Sequence, residues 1–244
     1  MLEIRIGLCI AMLALAAIID LRKREIPDKI WIGFGAAGLA VVVVELLSGD
    51  MDVASRALGP ELFRYILDIG IISAAGYGIY RSGLVGGADS KALIVVAVLL
   101  FSFRANYSIH DLPALTVLTN AVMLSLGHLV YNAARNLADV MRGGRIFEGF
   151  EAEGGMRKAL AVVTGFRTDS RRGFLFAMEE HDESGKKKFL FNPAAYGDFV
   201  NSEKAGRIWV TQALPFIVYI TLGFLTAVFY GDLMGTIIRS AIGA

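Results

Sequence analysis

Two aspartates at the ends of apolar segments are the residues of this sequence best placed to do chemistry. Asp20 closes the apolar run 4–19, and Asp89 precedes the apolar run 92–103. An ionisable side chain at the edge of a membrane is expensive to bury and is a candidate functional residue. Two neighbouring carboxylates resist double ionisation and share one proton, so one accepts a proton from water while the other donates to a peptide carbonyl. Such a pair is suited to peptide hydrolysis by an aspartic protease.

Each aspartate also has a structural interpretation. Asp20 precedes the basic residues 22–24, which can pair with it at the membrane surface. Asp89 can cap the helix expected to begin near Ser90, because a carboxylate accepts hydrogen bonds from free backbone N–H groups there. The two residue types alone leave both interpretations open.

Two glycines precede Asp89. Gly86 and Gly87 remove side-chain bulk, which allows the backbone of an extended substrate to approach closely. A glycine pair also forms an ordinary flexible turn, and the pair itself does not decide between the two roles.

The other polar candidates favour structural roles. Asp68 follows Arg64 by four residues, the spacing of an ion pair on a helix, and Glu45 lies near the end of its apolar run. The single cysteine, Cys9, excludes an internal disulfide and a cysteine-based zinc site. Three histidines are scattered along the chain: His110, His128 and His181. We therefore predict no metal and no cofactor.

The composition is that of a membrane protein. The 244 residues are 55% hydrophobic and 19% charged, with a mean hydropathy of +0.58, whereas soluble domains carry about 25% charged residues. This composition excludes a disordered chain and disfavours a soluble one. The net charge of +1 gives no electrostatic basis for binding nucleic acid.

Six membrane spans position the two aspartates. A helix needs about 20 apolar residues to cross a bilayer. Five runs approach this length: 4–19, 30–47, 63–80, 112–131 and 208–230. The run 92–103 is long enough only if 84–91 is included. A basic stretch without a small-residue cleavage site follows the first run, which we interpret as a retained helix.

Basic side chains orient these spans. They cluster after the first run, before the run 92–103 and throughout 135–207. By the positive-inside rule these segments face the cytosol. Asp20 and Asp89 then lie at similar depth at the cytosolic side of a multi-pass protein of the cell membrane.

The predicted fold is an all-α membrane protein with a small cytosolic α+β or mostly β domain between the fifth and sixth helices. We divide the chain into a membrane domain (1–135), the cytosolic domain (136–207) and the sixth helix with its tail (208–244). Within the cytosolic domain, 158–167 and 173–178 look like strands. Residues 189–191 are expected to pair with the second of these across a polar turn containing Gly185. Pro215 either kinks the sixth helix or starts it.

Three segments resemble archaeal preflagellin peptidases, the GxGD-type membrane aspartic proteases related to type IV prepilin peptidases. They are DLRKREIPD at 20–28, GGADSK at 86–91 and IWVTQALPFIVYITLGF at 208–224. The likeness covers almost the whole chain. Ala88 departs from the motif, which has glycine there.

The resemblance implies a function. Asp20 and Asp89 would be the catalytic pair that removes short basic leader peptides from archaellin or type IV pilin-like precursors at the cytosolic membrane face. Further motif or substrate-contact residues would be Gly86, Gly87, Ala88, Lys91 and Pro215. Bacterial prepilin peptidases often also methylate their product and carry a cysteine-rich module. With Cys9 alone, we expect peptidase activity without methyltransferase activity.

Three alternatives use the same residues differently. In presenilin-type intramembrane proteases the first aspartate normally follows a tyrosine, whereas Asp20 follows Ile19. An ion or proton transporter would use the aspartates as a relay, and transporters often contain internal repeats, which are not evident here. A non-catalytic scaffold of a pilus or secretion machine would tolerate loss of either aspartate.

Overall fold

The computed structural model describes residues 1–48, 58–81, 86–169, 174–181, 185–191, 207–212 and 215–243. The chain divides into two compact units. The first consists of Met1–Ser125 with Pro215–Ala244, and the second is Leu126–Leu214. The described helices are α1 (Leu2–Lys23), α2 (Asp28–Leu47), α3 (Leu58–Arg81), α4 (Gly87–Leu99), α5 (Pro113–Met141), α6 (Gly155–Thr164), α7 (Phe216–Phe229) and α8 (Leu233–Ile242).

The prediction of a largely helical membrane protein is confirmed, whereas the predicted number of six spans is not. Among the described residues, α1, α2 and α5 are long and apolar enough to cross a membrane. The pair α7 and α8, bent by 57° at their break, can form a fourth span. In α3 the charged Arg64 and Asp68 lower the hydropathy. With 13 residues, α4 is about 20 Å long at 1.5 Å per residue, shorter than the ~30 Å hydrocarbon core.

The short helix α4 is enclosed by other helices. It packs against α1, α2, α3 and α7. Six of its apolar side chains are buried: Ala92, Leu93, Val95, Val96, Ala97 and Leu99. Since these side chains contact protein, α4 does not need the length of a lipid-facing span. Its first turn is thereby held among the ends of its neighbours.

At one point α3 and α4 approach very closely. A Cβ atom added at Gly76 would lie 3.2 Å from Cβ of Ser90, and the Ser90 hydroxyl donates to the Gly76 carbonyl at 2.9 Å. Glycine at this position lets the two helices meet directly after Asp89.

Asp68 has the predicted structural role with a different partner. Its carboxylate accepts the backbone N–H groups of Ala114 (2.8 Å) and Leu115 (3.2 Å) and so caps the start of α5. The predicted partner Arg64 instead pairs with Glu61 at 2.6 Å. The expected ion pair is therefore wrong, because the free N–H groups of α5 lie within reach of Asp68.

The second unit contains the strands β1 (Phe166–Thr168), β2 (Leu175–Ala177), β3 (Glu179–His181), β4 (Lys187–Phe189) and β5 (Ile208–Gln212). An antiparallel sheet has the order β1-β5-β2, and β3 and β4 form a hairpin. The predicted small domain containing strands late in the chain is confirmed.

Three details of that domain differ from the sequence-based expectation. Most of 158–167 is the helix α6, since the segment MRKALAVV is rich in helix-favouring residues. The strand predicted in 173–178 is present as β2, and its ladder partner is β5. Its end also contacts the predicted segment 189–191, because the Leu190 N–H donates to the Met178 carbonyl at 2.8 Å. Part of the expected polar turn forms the paired strands β3 and β4, while Gly185 has the left-handed φ of 76° that a turn requires.

The predicted start of the last span is wrong. Residues 208–212 form the central strand β5, and the helix begins only at Phe216. Trp209 is fully buried and donates from Nε1 to the Ile146 carbonyl at 2.9 Å. Its ring stacks with Phe147, the two ring centroids lying 5.7 Å apart. The apolar residues at 208–210 are therefore buried within the second unit and not in lipid.

Candidate functional site

Asp89 lies in the first turn of α4. It is 8% exposed, and its Oδ2 accepts the backbone N–H of Gly86 at 3.0 Å. The backbone of Ile217, at the start of α7, also interacts with its carboxylate. The helix-cap interpretation is correct, because the carboxylate accepts a free N–H at the start of α4.

Asp20 lies in the last turn of α1. Its Oδ2 is 3.5 Å from Nη1 of Arg24, and both side chains are mostly buried. Arg24 ends the helix in the left-handed conformation, with φ at 57°, and its N–H donates to the Asp20 carbonyl at 3.1 Å. The basic partner expected among residues 22–24 is therefore Arg24.

The fold brings these two aspartates together. The Asp20 carboxylate is near enough to Asp89 to interact with it electrostatically, and Arg24 acts on both. Helix α1 packs against α4, and both pack against α7. Residues 69 positions apart in sequence thus contribute two carboxylates and one guanidinium to one region of the first unit. The sequence offers Arg22, Lys23 and Arg24 alike as partners of Asp20, and the i,i+4 spacing is the signal that favours Arg24.

The glycines before Asp89 have different environments. Gly86 is the N-cap of α4 and Gly87 is its first residue. Among the residues that the structure describes, a Cβ atom at Gly87 would meet only the Tyr80 ring, at an ordinary 3.6 Å. Ala88 packs against the helical core and lies in the helix, so its backbone does not need the freedom of glycine. The described packing therefore accommodates a small side chain at 87 and 88, whereas a Cβ atom at Gly86 would lie only 3.3 Å from Oδ2 of Asp89.

Lys91 connects the two motif segments. Its Nζ lies 2.6 Å from Oδ1 of Asp28, the first residue of α2. Both side chains are largely exposed, and such a pair contributes at most about 1 kcal/mol to stability. The contact aligns the segment after Asp20 with the segment after Asp89.

Pro215 starts a helix and does not kink one. It is the N-cap of α7, with φ at −74°, and the helix begins at Phe216. Of the two interpretations given for this proline, the helix-start interpretation is confirmed. Its position two residues before Ile217 places it beside the Asp89 cap.

Metal ligation is not evident in the described part of the chain. No three His, Cys, Asp or Glu side chains converge there. The absence of a cofactor stays a prediction from the sequence.

The fold and the site define a membrane protein whose helices gather two mostly buried carboxylates at their ends. The chain belongs to the type IV leader peptidase family, whose model matches residues 7–130. A second model, described as the archaeal peptidase A24 C-terminus type II, matches residues 157–233. The protein is therefore a peptidase. The first match contains both aspartates, and the second covers the described strands.

Curated relatives cover nearly the whole chain. The preflagellin peptidase of Methanococcus voltae is 26% identical over 239 residues, 93% of this chain and 94% of the relative. That of Methanococcus maripaludis is 26% identical over 230 residues, 90% and 92% of the two chains. That of Methanocaldococcus jannaschii is 25% identical over 247 residues, 95% of each. The matches do not favour the presenilin-type, transporter or scaffold alternatives.

Proposed function

We propose that this protein is a membrane aspartic endopeptidase that removes the leader peptide from preflagellin or a related type IV pilin-like precursor. The observation that carries the proposal is the convergence of Asp20 and Asp89 within residues matched by the leader peptidase family model. The names of the three relatives supply the substrate class.

The two carboxylates have complementary roles in hydrolysis. One ionised carboxylate removes a proton from water, and the oxygen attacks the carbonyl carbon of the scissile bond. The protonated partner donates to the carbonyl oxygen, giving a neutral tetrahedral intermediate. The intermediate then returns a hydroxyl proton to the second carboxylate, and the first carboxyl group protonates the leaving nitrogen. The C–N bond breaks as these protons move. Arg24, 3.5 Å from Asp20, positions the first carboxylate at the end of α1.

The site suits a substrate cut at the membrane surface. A pilin-like precursor has a basic leader on the cytosolic side, followed by an apolar helix in the membrane. Asp20 and Asp89 lie at the ends of apolar segments, so the scissile bond need not reach the middle of the bilayer. We further propose that α3 and α4 are the third and fourth of six crossings, and that the last crossing begins after Pro215, so that the cytosolic domain extends from 136 through β5.

Precursor cleavage is the direct test of this function. Membranes containing the protein are incubated with preflagellin, and the product N-terminus is determined by mass spectrometry. A single cut between the leader and the apolar helix, without N-methylation of the product, is expected. An intact precursor, with a characterised preflagellin peptidase cleaving it in parallel, would contradict the proposal.

Gly87→Val should lower cleavage at least tenfold while leaving the amount of folded protein unchanged. The described structure places only the Tyr80 ring near a Cβ at this position, so a loss of activity would arise from obstruction of the substrate backbone. The β-branched side chain also restricts the backbone beside Asp89.

Initial rates and the amount of detergent-extracted protein are measured together. Ala88→Gly, which restores the stricter motif, is the control and should retain activity. Normal turnover by Gly87→Val would exclude substrate contact at this loop.

The proposed orientation predicts which side of the membrane each loop faces. In a Cys9→Ser background, a cysteine introduced in place of Lys29 should react with a membrane-impermeant thiol reagent from the cytosolic side only. A cysteine in place of Ile109, which is 53% exposed after α4, should react from outside only. Ser90 is unsuitable for this purpose because it packs against Gly76. Labelling of Lys29→Cys from outside would show that the proposed orientation is wrong.

A further inference from the structure

Four arginines converge on one pocket in the second unit. The pocket has a volume of about 190 Å³, and its charged lining residues are Arg135, Arg142, Arg167, Arg207, Asp139 and Asp169. It therefore carries two more positive than negative side chains. This pocket lies outside the aspartate site and has no part in the hydrolysis described above.

Two of the arginines are fixed by hydrogen bonds. Arg167 lies on β1, and its Nη1 donates to the Arg145 carbonyl at 2.6 Å. Arg207 immediately precedes β5, and its Nη2 contacts Oδ2 of Asp139 at 2.8 Å and the Arg167 carbonyl at 3.4 Å. A backbone carbonyl thus holds the Arg167 guanidinium, and the Asp139 carboxylate together with the Arg167 carbonyl holds that of Arg207.

The other two arginines come from the end of α5. Arg135 and Arg142 are seven residues apart, which places them on one face of the helix two turns from each other. The Arg135 guanidinium lies 3.6 Å from the centroid of the Phe166 ring. Neither side chain forms an ion pair with a carboxylate in the described part of the chain. Both therefore have the capacity to bind an anion.

Arg135 lies on α5 just beyond the apolar run of that helix. The apolar run on α5 ends at Tyr131, so Arg135 follows it by four residues, or about 6 Å along the helix. The headgroup region adds roughly 5–8 Å to each side of the hydrocarbon core. Continuation of the same helix therefore places Arg135 at the depth of lipid phosphates.

We propose that this pocket binds a phosphate group, supplied by the headgroup of an anionic phospholipid or by free phosphate. Guanidinium groups match phosphate oxygens in pairs of parallel hydrogen bonds, and basic pockets at the ends of membrane helices bind anionic headgroups. The depth of Arg135 favours the lipid source. The positive charge disfavours a basic leader peptide, so the pocket is separate from substrate recognition.

Native mass spectrometry of the full-length protein tests this proposal. The protein is reconstituted with phosphatidylglycerol and phosphatidylcholine in equal amounts and released from the membrane mimetic. The variant R135Q/R142Q should retain at least fivefold less phosphatidylglycerol than the unmodified protein. The control R145Q/K158Q removes the same charge from the same unit outside the pocket and should retain lipid normally. Should the double variant fail to fold, R142Q alone provides the test, since Arg142 is exposed.

A second measurement separates the two phosphate sources. Thermal unfolding is followed with and without 10 mM inorganic phosphate at constant ionic strength. Selective phosphatidylglycerol retention that survives added phosphate supports the lipid source. Free phosphate is supported if it stabilises the unmodified protein and not R135Q/R142Q, while phosphatidylglycerol and phosphatidylcholine are retained equally. Retention of both lipids equally, with no phosphate effect, or identical behaviour of the pocket variant and the control, would overturn the proposal.

Discussion

Asp20→Asn and Asp89→Asn are each expected to abolish leader peptide removal, with a loss of at least about 10²–10⁴-fold, the usual contribution of a general acid or base. An amide has nearly the shape of a carboxylate but neither accepts nor supplies a proton at neutral pH. The fold should be preserved, because the amide oxygen introduced by Asp89→Asn can still accept the N–H of Gly86, as Oδ2 of Asp89 does at 3.0 Å. Initial rates of preflagellin cleavage are compared at equal amounts of membrane-inserted protein.

Glu25→Gln is the matched control for both variants. Glu25 is an exposed carboxylate in the motif segment that begins with Asp20, and it forms no ion pair within the part of the chain that the structure describes. The same chemical change at this position should leave the cleavage rate within about twofold. Turnover by either aspartate variant at more than a tenth of the normal rate would reject the two-carboxylate mechanism.

The catalytic candidates were accessible from the sequence because their chemistry is local. A carboxylate that ends or begins an apolar run is conspicuous, and Asp20 and Asp89 both do so. The electrostatic interaction of Asp89 with Asp20 and Arg24 depends on how α1, α4 and α7 pack. Spacing along the chain does not specify such contacts, and only the i,i+4 relation of Asp20 and Arg24 is local.

The length of an apolar run does not by itself identify a membrane span. An apolar stretch predicts burial, and it does not say whether lipid or protein provides the apolar surroundings. In α4 the surroundings are four helices, so 13 residues suffice. At 208–212 they are the neighbours of a central strand, where Trp209 packs among aromatic rings. In each case a tertiary partner remote in sequence decides the environment.

Arg5 is the clearest example of a residue whose role needed the structure. It lies near the start of α1, at the opposite end from Asp20, and it is fully buried. Its Nη2 is 2.9 Å from Oε2 of Glu45. Its Nη1 donates to the Leu99 carbonyl at 3.2 Å and also to the Phe101 carbonyl. One guanidinium therefore pairs with a buried acid on α2 and satisfies carbonyls at the end of α4.

Arg5→Met should destabilise the protein by about 3–5 kcal/mol, the usual effect of removing one partner of a buried ion pair. The loss arises because Glu45 would remain as an uncompensated buried charge beside unsatisfied carbonyls. The double variant Arg5→Met/Glu45→Leu removes that charge and should recover more than half of the lost stability. The stability of every variant is measured by thermal unfolding of the purified protein in one detergent.

The control Arg104→Met breaks an exposed pair with Glu61 and should change stability by no more than about 1 kcal/mol. If Arg5→Met unfolds no earlier than Arg104→Met, or if the double variant is no more stable than Arg5→Met, this buried pair does not hold the ends of α1, α2 and α4 together.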